Sequence, residues 1–137
     1  MSEECIFCRI VHKKASASVV YEDEQALAFM DIRPVYEGHT LIIPKQHYVD
    51  LFDAPAELVG YLHKITKRVA AAAKEFTKAD GVSIIQQNGR AAGQDIFHLH
   101  IHVIPRFEGQ TMQHFARSNV ASTESLDRVA AEIRKRL

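Results

Sequence analysis

His98-Leu99-His100-Ile101-His102-Val103-Ile104-Pro105 alternates imidazole and apolar side chains, and it is entered from Asn88-Gly89-Arg90-Ala91-Ala92-Gly93-Gln94-Asp95. In an extended chain successive side chains point to opposite faces, so the imidazoles share one side while Leu99, Ile101 and Val103 share the other. Such a segment is half core strand and half polar site. A single histidine is more often structural or merely exposed than chemical, but a row on one face asks for another reading. Next-but-one residues on a strand lie about 6.6 Å apart, which puts the outer pair about 13 Å apart. Zinc–nitrogen bonds are only about 2 Å long, so one ion does not easily hold all of these rings. Separate tasks are expected instead: a nucleophile, a proton relay, and one ligand turned toward a different neighbour.

Upstream of the glycine loop, residues 82–86 read as a strand, and sequence proximity predicts an antiparallel pair with the histidine strand. Residues 18–22 and 26–32 read as a hairpin around Glu22-Asp23-Glu24-Gln25. Thr40-Leu41-Ile42-Ile43 forms a third apolar strand that Pro44 ends. Asp53 is placed to cap a helix that begins at Ala54-Pro55, in which Leu58, Leu62, Ile65, Val69, Ala72 and Phe76 recur at helical steps. The alanines at positions 70–73 give that helix a thin wall suited to close approach by a neighbour. A last helix begins near Ser122, with Leu126, Val129, Ala130 and Ile133 on one side. No period is evident over residues 106–121, expected as an ordered loop or arm. Strands, helix and strands again predict an α+β fold, an antiparallel β-sheet packed against one long helix.

With 137 residues, 47% of them hydrophobic, the chain suits one domain over 1–137, with a C-terminal arm and helix at about 107–137. Lys plus Arg and Asp plus Glu are 17 each, so there is no global electrostatic footprint for a nucleic acid polymer. Arg134-Lys135-Arg136 reads as a solvated helix end, where positive charge meets the helix C-terminus favourably. No apolar run approaches membrane-spanning length, and the acidic start Met1-Ser2-Glu3-Glu4 is unlike an export signal; a cytoplasmic protein is expected. In a reducing compartment the pair Cys5-Ile6-Phe7-Cys8 is half a metal site or two free thiols rather than a structural disulfide. His47 and His98 are plausible companions for it.

A histidine that attacks phosphorus needs a neutral ring nitrogen, with its other nitrogen held protonated by a carbonyl or carboxylate. His100, the middle of the row, is the best-placed candidate. Gly89 and Gly93 allow close backbone approach, and turn amides near Gln94 and Asp95 can hydrogen-bond anionic oxygens. Asp31 taken alone reads better as a strand-end cap or turn than as a binding residue.

The histidine run, preceded by Gly93-Gln94, resembles the signature of the histidine triad (HIT) family of nucleotide hydrolases and transferases, in a pattern like its bacterial and archaeal Hit-like and Hint-like members. Further likeness runs through Cys5-Ile6-Phe7-Cys8, Tyr21-Glu22-Asp23-Glu24, Ala28-Phe29-Met30-Asp31, Gly38-His39-Thr40, Pro44-Lys45 and His47. The resemblance implies a HIT-like fold, a homodimer, and attack on the α-phosphorus of an AMP-linked substrate through a nucleotidyl-histidine. It implies His100 as nucleophile, with His39, His98 and His102 completing the catalytic set. Nucleotide contacts are implied for Phe29, Asp31, Ile32, Gln87, Gln94 and Asp95 together with His100 and His102, Asp31 serving the ribose hydroxyls and Phe29 and Ile32 a purine slot. By the same resemblance Cys5, Cys8, His47 and His98 hold a structural zinc ion. The alternatives within reach are a dinucleoside polyphosphate hydrolase and a weakly catalytic nucleotide-binding or scaffold protein. One position departs from the family pattern: Asp95 stands where Ser or Thr is usual. A hydroxyl can donate to a phosphate oxygen, whereas an ionised carboxylate only accepts and repels.

Overall fold

The computed structural model describes residues 4–111 and 119–137. In chain order the elements are helix α1 (Ile6–Val11), strands β1 (Val19–Glu22), β2 (Ala26–Met30) and β3 (Thr40–Pro44), helix α2 (Ala56–Thr77), strand β4 (Gly81–Ile85), a 3-10 turn at Arg90–Ala92, strand β5 (Ile101–Arg106) and helix α3 (Thr123–Arg134). The five strands form one antiparallel sheet in the order β1-β2-β3-β5-β4. This is the α+β architecture expected, including the antiparallel β4–β5 pair.

Period-two alternation in the central strands divides the sheet between two cores. From β2 and β3, Ala26, Ala28, Met30 and Ile42 meet Leu62, Ile65, Val69, Ala72 and Ala73 of α2 and Leu126, Val129 and Ile133 of α3. The alternate residues Leu27, Phe29, Leu41 and Ile43 pack on the other face with Phe7 of α1. In β5, Ile101 and Val103 belong to the α2 side, so the intervening His102 projects to the α1 side. The long helix thus fills the back of the sheet, and the short α1 packs on the front. Truncating one of its central side chains, Leu62→Ala for example, should cost about 2 to 5 kcal/mol.

Several local expectations need correction. Asp53 does not cap α2: its Oδ2 accepts from Val49 N–H at 2.8 Å, and Pro55 occupies the N-cap without any side-chain hydrogen bond. Proline serves there because the first amides of a helix lack internal partners in any case. β2 ends at Met30 rather than at residue 32, because Asp31 turns to accept from Arg33 N–H. β5 begins only at Ile101, so His98 and His100 lie in an irregular approach to the strand. Ala72 and Ala73 are fully buried in this chain's own core, which takes half of the expected alanine wall away from any outside partner. Ser122 caps α3 as expected, accepting from Ser125 N–H at 3.1 Å. The expected arm over 106–121 lies partly outside the described residues; its near ends are tied by Tyr36 O–H to Thr111 O and Ala121 N–H to Ile32 O.

Candidate functional site

Two clusters of ionisable groups share the front of the sheet, and residues 98 to 102 supply both. The first gathers Cys5 and Cys8 from the start of α1, His47 from the loop after β3, and His98. His98 donates from Nε2 to the Pro44 carbonyl at 2.8 Å, which leaves the Nδ1 lone pair aimed at the sulfurs. Nδ1 of His98 lies 3.4 Å from Cys5 Sγ and 3.6 Å from Cys8 Sγ, and Nδ1 of His47 lies 3.2 Å from Cys8 Sγ. Tetrahedral zinc with bonds of about 2.0 to 2.3 Å separates its ligand atoms by about 3.3 to 3.8 Å. The donor set and spacing fit a metal, and this Cys2His2 cluster can coordinate one.

The second cluster is a hydrogen-bond relay. Val35 N–H donates to Nδ1 of the fully buried His39 at 3.1 Å, so the proton of the neutral ring sits on Nε2. That Nε2 is 3.0 Å from His102 Nδ1 and 3.4 Å from Asp31 Oδ2. His102 therefore accepts on Nδ1 and carries its own proton on Nε2. Although Asp31, His39 and His102 are near enough to suggest a cation site, the Val35 N–H occupies the lone pair of His39 and fixes a proton between the rings. A relay fits that arrangement; a metal does not.

Between the clusters stands His100, whose Nδ1 donates to the His98 carbonyl at 2.7 Å. Its Nε2 lone pair is consequently the free one. Burial lowers the pKa of His100, with Asp95 and the His98 carbonyl opposing. Burial also holds His102 down to about 4 and His39 to about 3, and the neighbouring imidazoles add to both depressions. The rings are neutral at pH 7, as a nucleophile and a relay require. Asp31 is displaced the other way: burial pushes it up to about 6, Asp95 adds to this, and the Arg33 amide opposes it.

His100 and His102 open onto a cavity of about 620 Å³. Phe29, Asp31, Ile32, Gln87 and Asp95 all line it, as does Gly93. Gln94 lies beneath: its Oε1 accepts from Gly89 N–H at 2.7 Å and its Nε2 donates to the Val49 and Ile96 carbonyls, so its side chain braces the loop. At Gly93, with φ +99°, an added Cβ would come within 2.6 Å of Gln87 Nε2, so close approach there requires glycine. His39 stands behind His102, and His98 belongs to the sulfur cluster. Sequence reasoning missed the α1 wall: Ile6, Phe7 and Ile10 line the apolar end. The Phe7 ring sits edge-on to Phe29, His98 and His100 at centroid distances of 5.4, 5.8 and 5.2 Å. Its place between the two cysteines was the available signal, since a segment pinned at both ends presents what lies between them.

Residues 12–109 match the family model of the HIT domain. An uncharacterized HIT-like protein of Methanocaldococcus jannaschii is 46% identical over 77% of this chain and 81% of its own length. Among solved structures, a Hit-like protein from Bartonella henselae involved in cell-cycle regulation superposes with a TM-score of 0.91 at 36% identity, covering 100% of this chain and 99% of that one. A Zn-bound histidine triad family protein from Mycobacterium smegmatis gives a TM-score of 0.84 at 42% identity, covering 96% and 94%.

Proposed function

Because this chain belongs to the HIT domain family, we propose that it is a nucleotide-binding hydrolase or transferase in which His100 attacks the α-phosphorus of an AMP-linked substrate. The observation that carries this reading is the 2.7 Å bond from His100 Nδ1 to the His98 carbonyl, which commits a neutral ring to present Nε2 to the cavity. Attack forms the Nε2–phosphorus bond as the bond to the leaving group breaks, and water or another acceptor then releases the nucleotide and restores the ring. His102 offers its Nε2 proton to a phosphoryl oxygen, and His39 holds it in that tautomer. The purine lies against Phe29, Ile32 and the α1 wall, while Asp31 accepts from the ribose hydroxyls. Gln87 contacts the phosphate region, and the loop braced by Gln94 supplies its floor.

Cys5, Cys8, His47 and His98 are the residues that would hold a structural zinc ion, which supplies cross-linking between α1, the loop after β3 and the approach to β5. The metal reading is supported by the spacing above and by the zinc in the Mycobacterium smegmatis relative. Homodimer formation is supported by β4, which pairs with β5 alone among the described strands and exposes Ile84. A dinucleoside polyphosphate hydrolase uses the same first step with a different leaving group. A scaffold that only binds nucleotide has no need of the fixed His100 tautomer.

The test is to trap the reaction with excess adenosine phosphoramidate and weigh the intact protein and its peptides. An AMP adduct on His100 is expected, and none in His100→Ala. An undiminished adduct in that variant, or one on another residue, rejects the assignment.

A further inference from the structure

The charge of the cavity bears on which group leaves. Among the described residues that line it, Arg33 is the sole ammonium or guanidinium, set against the carboxylates of Asp31 and Asp95. Asp95 is exposed on the loop beside the reacting centre, and no basic side chain pairs with it among the described residues. Its charge reaches Asp31, His100 and His102. Asp31 already accepts the Arg33 amide with Oδ1 at 2.8 Å and has Oδ2 turned toward His39, so Asp95 is the carboxylate left for the solvent side of the pocket.

A polyphosphate leaving group carries several negative charges and calls for a cradle of cations. This wall offers the opposite field. Building on the nucleotidyl-histidine reading, we infer that Asp95 is a specificity-determining residue that selects AMP conjugates whose leaving group is an amine bearing a second, cationic ammonium, and disfavours polyphosphate conjugates. The chemistry balances without a further reactant. The phosphoramidate nitrogen arrives protonated, His100 Nε2 bonds to phosphorus, and the phosphorus–nitrogen pair leaves with the neutral amine. Water then takes the place of the ring on phosphorus and releases one proton to solvent. The distal ammonium stays charged throughout and faces Asp95.

The experiment compares kcat/KM for three AMP conjugates: a 4-aminobutyl phosphoramidate, the isosteric neutral pentyl phosphoramidate, and diadenosine tetraphosphate. A unit charge about 6 Å away in a half-solvated cleft changes a rate ratio about tenfold. The cationic-to-neutral ratio in the native protein should therefore fall about tenfold in Asp95→Asn, persist in Asp95→Glu and invert in Asp95→Lys, while the tetraphosphate gains in Asn and Lys. Using a ratio removes any common loss from altered folding, and Asp95→Glu controls for loop damage. An unchanged ratio in both Asn and Lys variants, with the neutral conjugate still turned over through His100, overturns the role of Asp95 and leaves the reaction standing. Absence of any adduct on His100 from all three conjugates overturns both.

Discussion

Asp31→Asn is expected to stabilise the ligand-free protein while impairing nucleotide binding. The Asp31 carboxylate is raised from 3.8 to about 6, chiefly by burial, and its side chain is 18% exposed. Because the folded-state value lies above the unfolded one, the folded protein prefers the protonated acid. Ionisation thus removes stability, starting as pH climbs past 3.8 and complete once it passes about 6. A rise of that size corresponds to about 3 kcal/mol at most. Halving this for partial solvent screening leaves about 1.5 kcal/mol at about pH 8, and roughly half of that at about pH 5. Asparagine keeps the acceptor for Arg33 N–H, so the turn survives. For a chain of 137 residues the gain is a rise in Tm of about 5 °C at about pH 8. Thermal and urea unfolding of both proteins across that pH range reads it directly, with AMP titration alongside. An Asn variant no more stable than the native protein, or one whose advantage is independent of pH, refutes the reasoning.

Acidification should destabilise the Asp31→Asn protein through its buried histidines. Their folded values lie below 6.5, about 3 for His39 and about 4 for His102, so the unfolded chain takes up protons first and stability falls as pH drops from 6.5 toward 4. Each fully buried ring contributes about 1.4 kcal/mol per pH unit in that window, and a flat urea midpoint there excludes it. Protein purified without a metal-affinity tag should contain about one zinc per chain by elemental analysis; Cys8→Ser should lose it, and chelation should lower Tm before nucleotide affinity, whereas metal-free protein of full stability rejects the site. The native chain should sediment as a dimer at micromolar concentration, and Ile84→Lys on the β4 edge should sediment as a monomer. A native monomer excludes the dimer outright.

The architecture was legible where apolar periodicity ran long. The spacing of Leu62, Ile65 and Val69 gave α2, and the alternation through Ile101, His102 and Val103 gave β5 and its two faces. The expectation that one ion does not easily hold the whole histidine row agrees with the two clusters, since His98 belongs to a different one from His102. The spacing argument behind it applies only in part, because β5 begins at Ile101 and His98 precedes the strand. Other features lay beyond a linear reading. α1 has six residues, fewer than two turns, so no period marks its apolar residues as a pocket wall, and only the bracketing cysteines single out Phe7. Asp53 sits where a cap is usual, but a competing amide at Val49 claimed its carboxylate. Gln94 carries the family's pattern in the glycine loop, yet its side chain is spent on main-chain groups from three directions. These outcomes depend on which backbone groups a fold leaves unsatisfied nearby, and that is known only after long-range pairing is complete.

Three of the site's imidazoles are addressed from the main chain: His39 by the Val35 N–H, His100 by the His98 carbonyl and His98 by the Pro44 carbonyl. An alanine scan leaves each of those peptide groups in place and is blind to them. Val35→Ala would keep the amide that sets the proton of His39, and hence of His102, whereas Val35→Pro deletes it and frees the ring to turn its lone pair toward its neighbour. Variation at position 35 is therefore silent across almost every side chain and consequential for one imino acid. In this protein the placement of a ring proton is set by an atom that the genetic code can reach only through proline.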